Sequence, residues 1–241
     1  MKSAEPKLDT TKPATKYVLQ GAVTHAESLP AMDPSLQAGS SFNSGSLHEP
    51  KYASNWFKIP NWFAGTFESN ASTIDFVRDY ASGKTAKPNK TVASSGREVH
   101  GFQKDAQGGI WHFYVQAGSS RSEQERQITY NTIDFYGPEF VSSNKVVMRV
   151  LATSLIVDRQ SGIIVDSFRR EDIKTYEPLQ NGQVSVLYTS KSFDSHGRPR
   201  DLQNGHSVHN LVAPFQPIDH DGKNDYRQML KDYLVRPDKT H

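Results

Sequence analysis

Four short segments ending in glycine punctuate the chain: Asp105–Gly109, Asp158–Gly162, Leu179–Gly182 and Asp194–Gly197. Glycine supplies the positive φ that tight hairpin turns need. Runs of β-branched and aromatic residues lie between them, so the pattern predicts consecutive antiparallel hairpins, a meander. The expected strands are Phe63–Asn70, Val92–Lys104, Ile110–Ala117, Gln127–Tyr136, Val146–Asp158, Ile163–Tyr176, Val184–Phe193 and Ser207–Ala213. Residues 72–80 either extend the first of these or form a short helix. Several runs exceed the usual strand length of about 5–6 residues. Long, twisted strands in one meander tend to close on themselves, because closure removes exposed edges. Near the end, Tyr226, Met229, Leu230 and Tyr233 recur at helical spacing, which predicts a C-terminal helix packed outside the sheet. The expected fold is mainly β, an antiparallel meander of about eight strands closing into a barrel.

Only 35% of the 241 residues are hydrophobic, a low share for a globular chain, so part of the length should be tail and loop. Residues 1–20 are rich in Lys, Thr and Pro and can bury too little to offset their ordering entropy; they read as a disordered tether. They lack the apolar stretch of a signal peptide. A polar leader of this kind is what remains after a signal is cut from an exported or lipid-anchored protein, so a periplasmic or secreted location is expected, with a cytoplasmic one left open. Residues 21–54 show neither helical nor strand period and read as an irregular wrapping segment held by Leu29, Leu36 and Phe42. Residues 55–241 form the β domain. The 28 basic and 26 acidic residues are dispersed, so no nucleic-acid footprint is predicted. No apolar run reaches the roughly 18 residues of a membrane helix. The absence of cysteine excludes disulfides and thiolate metal sites.

Residues 55–63 spell Asn-Trp-Phe twice around Pro60. A large aromatic buries about 150–250 Å², and an open barrel end must be sealed. Trp56, Phe57, Trp62 and Phe63 are therefore expected to plug one end, the alternative being padding for one face of a sandwich. Trp62, nearer the first strand, is expected to be the more costly tryptophan to remove. The stretch from Asn61 to Phe67 resembles the start of a lipocalin-like (calycin) barrel, where a short apolar turn leads into a first strand carrying Gly-x-Trp. Gly65-Thr66-Phe67 fits with phenylalanine in the tryptophan's place, and Arg200 could stand in for the basic residue that packs beneath that aromatic. A Thr-Asp-Tyr turn is not evident. The resemblance implies a barrel with an interior cavity.

Alternate strand residues share a face. Glu98, His100 and Phe102 fall together, as do Ile110, His112 and Tyr114, and as do Tyr130, Asp134 and Tyr136. Turned inward, these faces would set a few polar groups among aromatics, as small-molecule sites do, and a histidine beside a carboxylate can do acid–base work. The opposite phase is favoured for the third strand, because Trp111, Phe113 and Val115 make the better core and leave His112 in solvent. Arg149 sits on an otherwise apolar strand, with Asp134 as its expected partner. The candidate ligand-binding residues are His100, His112, Tyr114, Tyr130, Asp134 and Arg149; no catalytic residue stands out. No cofactor or metal is expected. Asp219, Asp221 and Asp225 have the spacing of a calcium loop but precede a helix, where they read as caps. His196, His206 and His209 lie in a stretch that reads as loop. Within Phe168–Asp172, either Arg169 with Glu171 or Arg170 with Asp172 should form a surface pair. Phosphate loops, G-x-S-x-G and H-E-x-x-H are missing. Three functions fit: a binding protein for a small apolar or amphipathic molecule, a barrel enzyme of cyclase or isomerase type using one polar pocket residue, and an envelope assembly component acting through its surface.

Overall fold

The computed structural model describes residues 24–47, 51–52, 56–114, 120–222 and 224–235. The expected tether and Val115 lie outside the described residues. In chain order the strands are β1 (Lys51–Tyr52), β2 (Trp56–Ile59), β3 (Gly65–Asp79), β4 (Thr85–Ala86), β5 (Lys90–His100), β6 (Gln103–Lys104), β7 (Ile110–Phe113), β8 (Ser120–Glu123), β9 (Gln127–Val141), β10 (Val146–Asp158), β11 (Ile164–Pro178), β12 (Gln183–Asp194) and β13 (Pro199–Pro214), followed by helix α1 (Tyr226–Leu234). The glycines expected to make turns do so: Gly108, Gly162, Gly182 and Gly197 all have positive φ and join β6–β7, β10–β11, β11–β12 and β12–β13.

The molecule is mainly β. Strands β9 to β13 form a meander, and β13 then pairs with β3, which pairs with β4 and β5; β8 and the parallel β1 flank β9. A second sheet has the order β2-β7-β6. Among the described residues neither sheet is closed. The large sheet is nevertheless strongly curled. β5 and β11 are four places apart in its order, about 19 Å if flat, yet Lys174 Nζ donates to Glu98 Oε1 across 2.6 Å.

Residues 72–80 extend the first strand instead of forming a helix. The histidine-bearing stretch that reads as loop is instead taken up by the sixteen-residue β13, where cross-strand bonds to β12 and β3 supply the order that its Asn, Gly and His lack locally. Helix α1 starts at Asp225, whose side chain accepts from Gln228 N. Asp221 accepts from Asn224 N and Nδ2 and from Tyr226 O–H, so the acidic loop caps a helix, as expected.

The small sheet explains the doubled Asn-Trp-Phe. One of its faces carries Phe57, Ile59 and Ile110, which join Phe63, Phe67, Val146, Met148, Tyr176, Val184 and Val186 in the core of the large sheet. Its other face carries Trp56 and Trp111, which pack on Tyr226 and Leu230 of α1. The helix therefore covers the small sheet rather than the large one. Trp56 is 2% exposed, whereas Trp62 is half-buried at the edge of the core, its Nε1 donating to Ser143 O. The expected order of burial is reversed, because the chain turns at Pro60 and leaves Trp62 at the rim.

Residues 24–47 cross the opposite face of the large sheet as a strap. Leu29 N and Met32 N donate to Gly197 O and Ser195 O, and Phe42 N donates to Gly162 O, so the strap ties together two hairpin turns. Any Cβ at Gly197 would collide with the Leu29 carbonyl. Met32 and Leu36 pack on Leu155.

Candidate functional site

The inner face of the curled sheet and the end of β7 line a partly open cavity of about 220 Å³. Its apolar lining is mostly aromatic: Phe102, Phe113, Tyr114, Tyr136 and Tyr176. Strand β5 brings Glu98 and His100 to it, β7 brings His112, and β11 brings Lys174 and Tyr176. Glu98 is the hub. Oε1 accepts from Lys174, and Oε2 accepts from Tyr176 O–H at 3.1 Å. His100 Nε2 and His209 Nδ1 face the same Oε2 at 3.4 and 3.6 Å. Burial alone would push the Glu98 carboxyl up; its contact with His100 and the charge of Lys174 outweigh this and hold it well below the usual carboxylate range. Burial pushes the Tyr176 hydroxyl well up, and the Glu98 charge adds to that. Burial likewise raises Tyr136.

His112 is 5% exposed, and its Nδ1 accepts from Gly101 N at 3.0 Å. The ring proton therefore sits on Nε2. Burial, with the nearby His100, drives its pKa well below the ordinary histidine value. Gly101 has φ +86°, and a Cβ there would press on Ile110 and Phe215; this close passage is what lets its amide reach His112. His100 stacks on Phe63 with centroids 4.0 Å apart. Its Nδ1 is buried and has no hydrogen-bond partner among the described residues.

Of the six residues singled out from sequence, His100, His112 and Tyr114 line this cavity. The solvated reading of His112 is corrected: β7 is covered on both faces, by α1 on the Trp111 side and by the large sheet on the His112 side, so alternation could not select one. Tyr130, Asp134 and Arg149 lie on the strap side. Tyr130 stacks on Phe42 at 4.2 Å. Asp134 accepts from Thr153 Oγ1. Strand β9 pairs Phe135 with Leu151 but Ile133 with Ala152; this bulge at Asp134 reverses the alternation, so Tyr136 faces the cavity while Tyr130 faces away. Arg149 does not pair with Asp134. It donates to Glu139 and to the buried Glu171, and Glu171 Oε2 also meets His25 Nδ1 at 2.7 Å.

Sequence reasoning missed Glu98, Lys174, Tyr176 and Tyr136 as site residues. Two signals existed: Glu98 shares a strand face with His100, and Lys174 shares one with Tyr176. That β5 meets β11 depends on curling, which no local pattern records. The remaining expectations divide. Arg170 pairs with Asp172 at the surface. His206 is exposed against Asp75, while His209 is buried near Glu98, so the two do not converge. Arg200 pairs with Asp166 and lies over Phe168 instead of packing beneath Phe67. Among the described residues no cluster of His, Asp and Glu has metal-binding geometry, and no helix is long and apolar enough to cross a membrane. Comparison with protein-family models, curated proteins and solved structures finds no match for this chain.

Proposed function

We propose that this protein binds a small, mostly apolar molecule in the Glu98–His100 cavity. The observation that carries the reading is an aromatic-lined space of about 220 Å³ with convergent polar groups at its wall. The size is informative. An apolar cavity of about 150 Å³ admits benzene, and drug-sized ligands occupy about 300–1,000 Å³. The ligand is thus of single-ring size. Closure of the large sheet into a lipocalin-like barrel belongs to the same proposal. Its support is the stack of Tyr114, just beyond β7 of the small sheet, on Tyr136 of β9 at 3.8 Å, which sets the small sheet against the β9 end of the curl. An acid–base enzyme on the same scaffold is the second reading, favoured by the contact of His100 with Glu98.

Val150 lines the cavity. Val150→Trp should fill it and abolish saturable binding of single-ring compounds, followed by NMR shift changes, while the spectrum stays folded. Binding that survives the filled cavity would refute the site.

A further inference from the structure

We propose that the inner face of the large sheet carries a second binding site, for a neutral polyhydroxylated ring, a saccharide unit. It lies apart from the aromatic cavity and stands independently of what that cavity binds.

The strands place the site. Between Phe168 and Tyr176 the pairing of β11 with β12 runs without a shift, so Phe168, Arg170, Asp172, Lys174 and Tyr176 share one face. Lys174 and Tyr176 reach the aromatic cavity. Phe168 and Arg170 line a separate hollow of about 340 Å³, with Ser190 of β12 and with Arg200, Asp201 and Gln203 of β13. Arg200 and Asp201 are neighbours in the chain, and plain alternation would turn one of them away. Strand β13 pairs Asp201 with Ser192 but Pro199 with Phe193; this bulge at Arg200 brings both to the same hollow. The volume lies at the lower end of small-molecule sites, about 300–1,000 Å³, and suits one sugar ring.

The two guanidiniums are held in place without being used up. Arg170 donates Nε to Asp172 at 3.0 Å. Arg200 donates Nη1 to the two oxygens of Asp166 at 3.2 and 3.1 Å and lies over the Phe168 ring. The terminal nitrogens of Arg170, and Nε and Nη2 of Arg200, make no hydrogen bond among the described residues. The two side chains are 52% and 39% exposed, so a ligand can reach these donors. A fork already fixed by a carboxylate loses less freedom on binding than a mobile surface arginine. Asp201 accepts from Ser192 Oγ and keeps further lone pairs. The side chains of Ser190 and Gln203 make no hydrogen bond among the described residues. Unspent donors and acceptors thus meet around one hollow.

Charge decides the class of ligand. Each arginine already faces a carboxylate, whereas Asp201 is in no ion pair among the described residues. Asp79, its cross-strand neighbour on β3, is committed to the Ser82 amide. An anion would meet Asp201 with no excess positive charge to draw it in, and an ammonium would lie beside two guanidiniums. A neutral ligand avoids both. It must accept from the guanidiniums and donate to Asp201 and Gln203, and adjacent ring hydroxyls do both.

The test titrates the full chain, followed by NMR, with glucose, galactose, mannose, inorganic phosphate and choline. The expected result is saturable binding of at least one hexose, with amide shifts centred on Ser190, Ser192 and Gln203, and weaker binding of phosphate and choline. Ser190→Ala and Gln203→Leu should leave the spectrum folded. Arg170→Met should weaken hexose binding about tenfold, the loss of a hydrogen bond to a charged group. Toluene, a single-ring occupant for the aromatic cavity, should shift a different set of residues and not compete. Phosphate binding tighter than any hexose would make the hollow an anion site, and choline binding tighter would make it a cation site; either overturns the proposal. So does the absence of saturable hexose binding, or hexose binding that Ser190→Ala, Gln203→Leu and Arg170→Met all leave unchanged. Failure of toluene alone counts against the cavity reading and leaves the saccharide site standing.

Discussion

Glu98 shows how much one carboxylate can organise when four side chains converge on it. Lys174 and Tyr176 of β11 hold it by hydrogen bonds, and it is faced by His100 from its own strand and by His209 from β13. Its folded pKa lies below the ordinary value of 4.5, so the folded state binds that proton less tightly than the unfolded chain. The stability it contributes is complete above pH 4.5 and is lost as pH falls toward the folded value. Glu98→Gln should therefore flatten the fall in stability below about pH 5, by on the order of 2 kcal/mol at the acid end, measured by urea unfolding at successive pH values. His112 and His209, whose values burial lowers, add their own loss as pH falls below the ordinary 6.5. Their effect begins higher and remains in the variant, which separates the two. An unchanged profile below pH 5 would mean that Glu98 is not held by these partners.

At the scale of elements, the small β2-β7-β6 sheet does two jobs. It seals the core of the large sheet with Phe57 and Ile59 and seats α1 on Trp56 and Trp111. Trp56, fully enclosed between Phe113 and Tyr226, should cost about 3–5 kcal/mol when replaced by alanine. Trp62→Ala should cost clearly less, because its ring is half-buried and its Nε1 bond to Ser143 O is at the surface. Chemical unfolding of the two variants gives the order directly; the reverse order would restore a plug centred on Trp62. The bulge at Asp134 in β9 is the other decisive element. One extra residue moves Tyr136 to the cavity and Tyr130 to the strap.

At the scale of the whole molecule, a polar seam joins the strap to the sheet. Glu171, 4% exposed, meets Arg149, His25 and the amide of Ala26, and Lys191 Nζ donates to Ala26 O. Arg149→Leu leaves Glu171 buried without its cation and should cost about 3 kcal/mol, much of it recovered when Glu171→Gln is added. Ligand binding in the cavity, on the other side of the sheet, should be unchanged. A loss of binding with no loss of stability would place Arg149 in the site after all. The sequence by itself determined most of the long strands, the glycine turns, the Asp225 cap and the C-terminal helix, because each follows from backbone preferences or from a period within one segment. It also showed His100 and Glu98 on a common face. Only the tertiary structure decided which faces look inward. Strand β7 is covered on both sides, β9 changes phase at a bulge, and β5 reaches β11 only because the sheet curls. Each is a relation between segments distant in the chain, set by packing and cross-strand pairing, and alternation within a single strand carries no record of it.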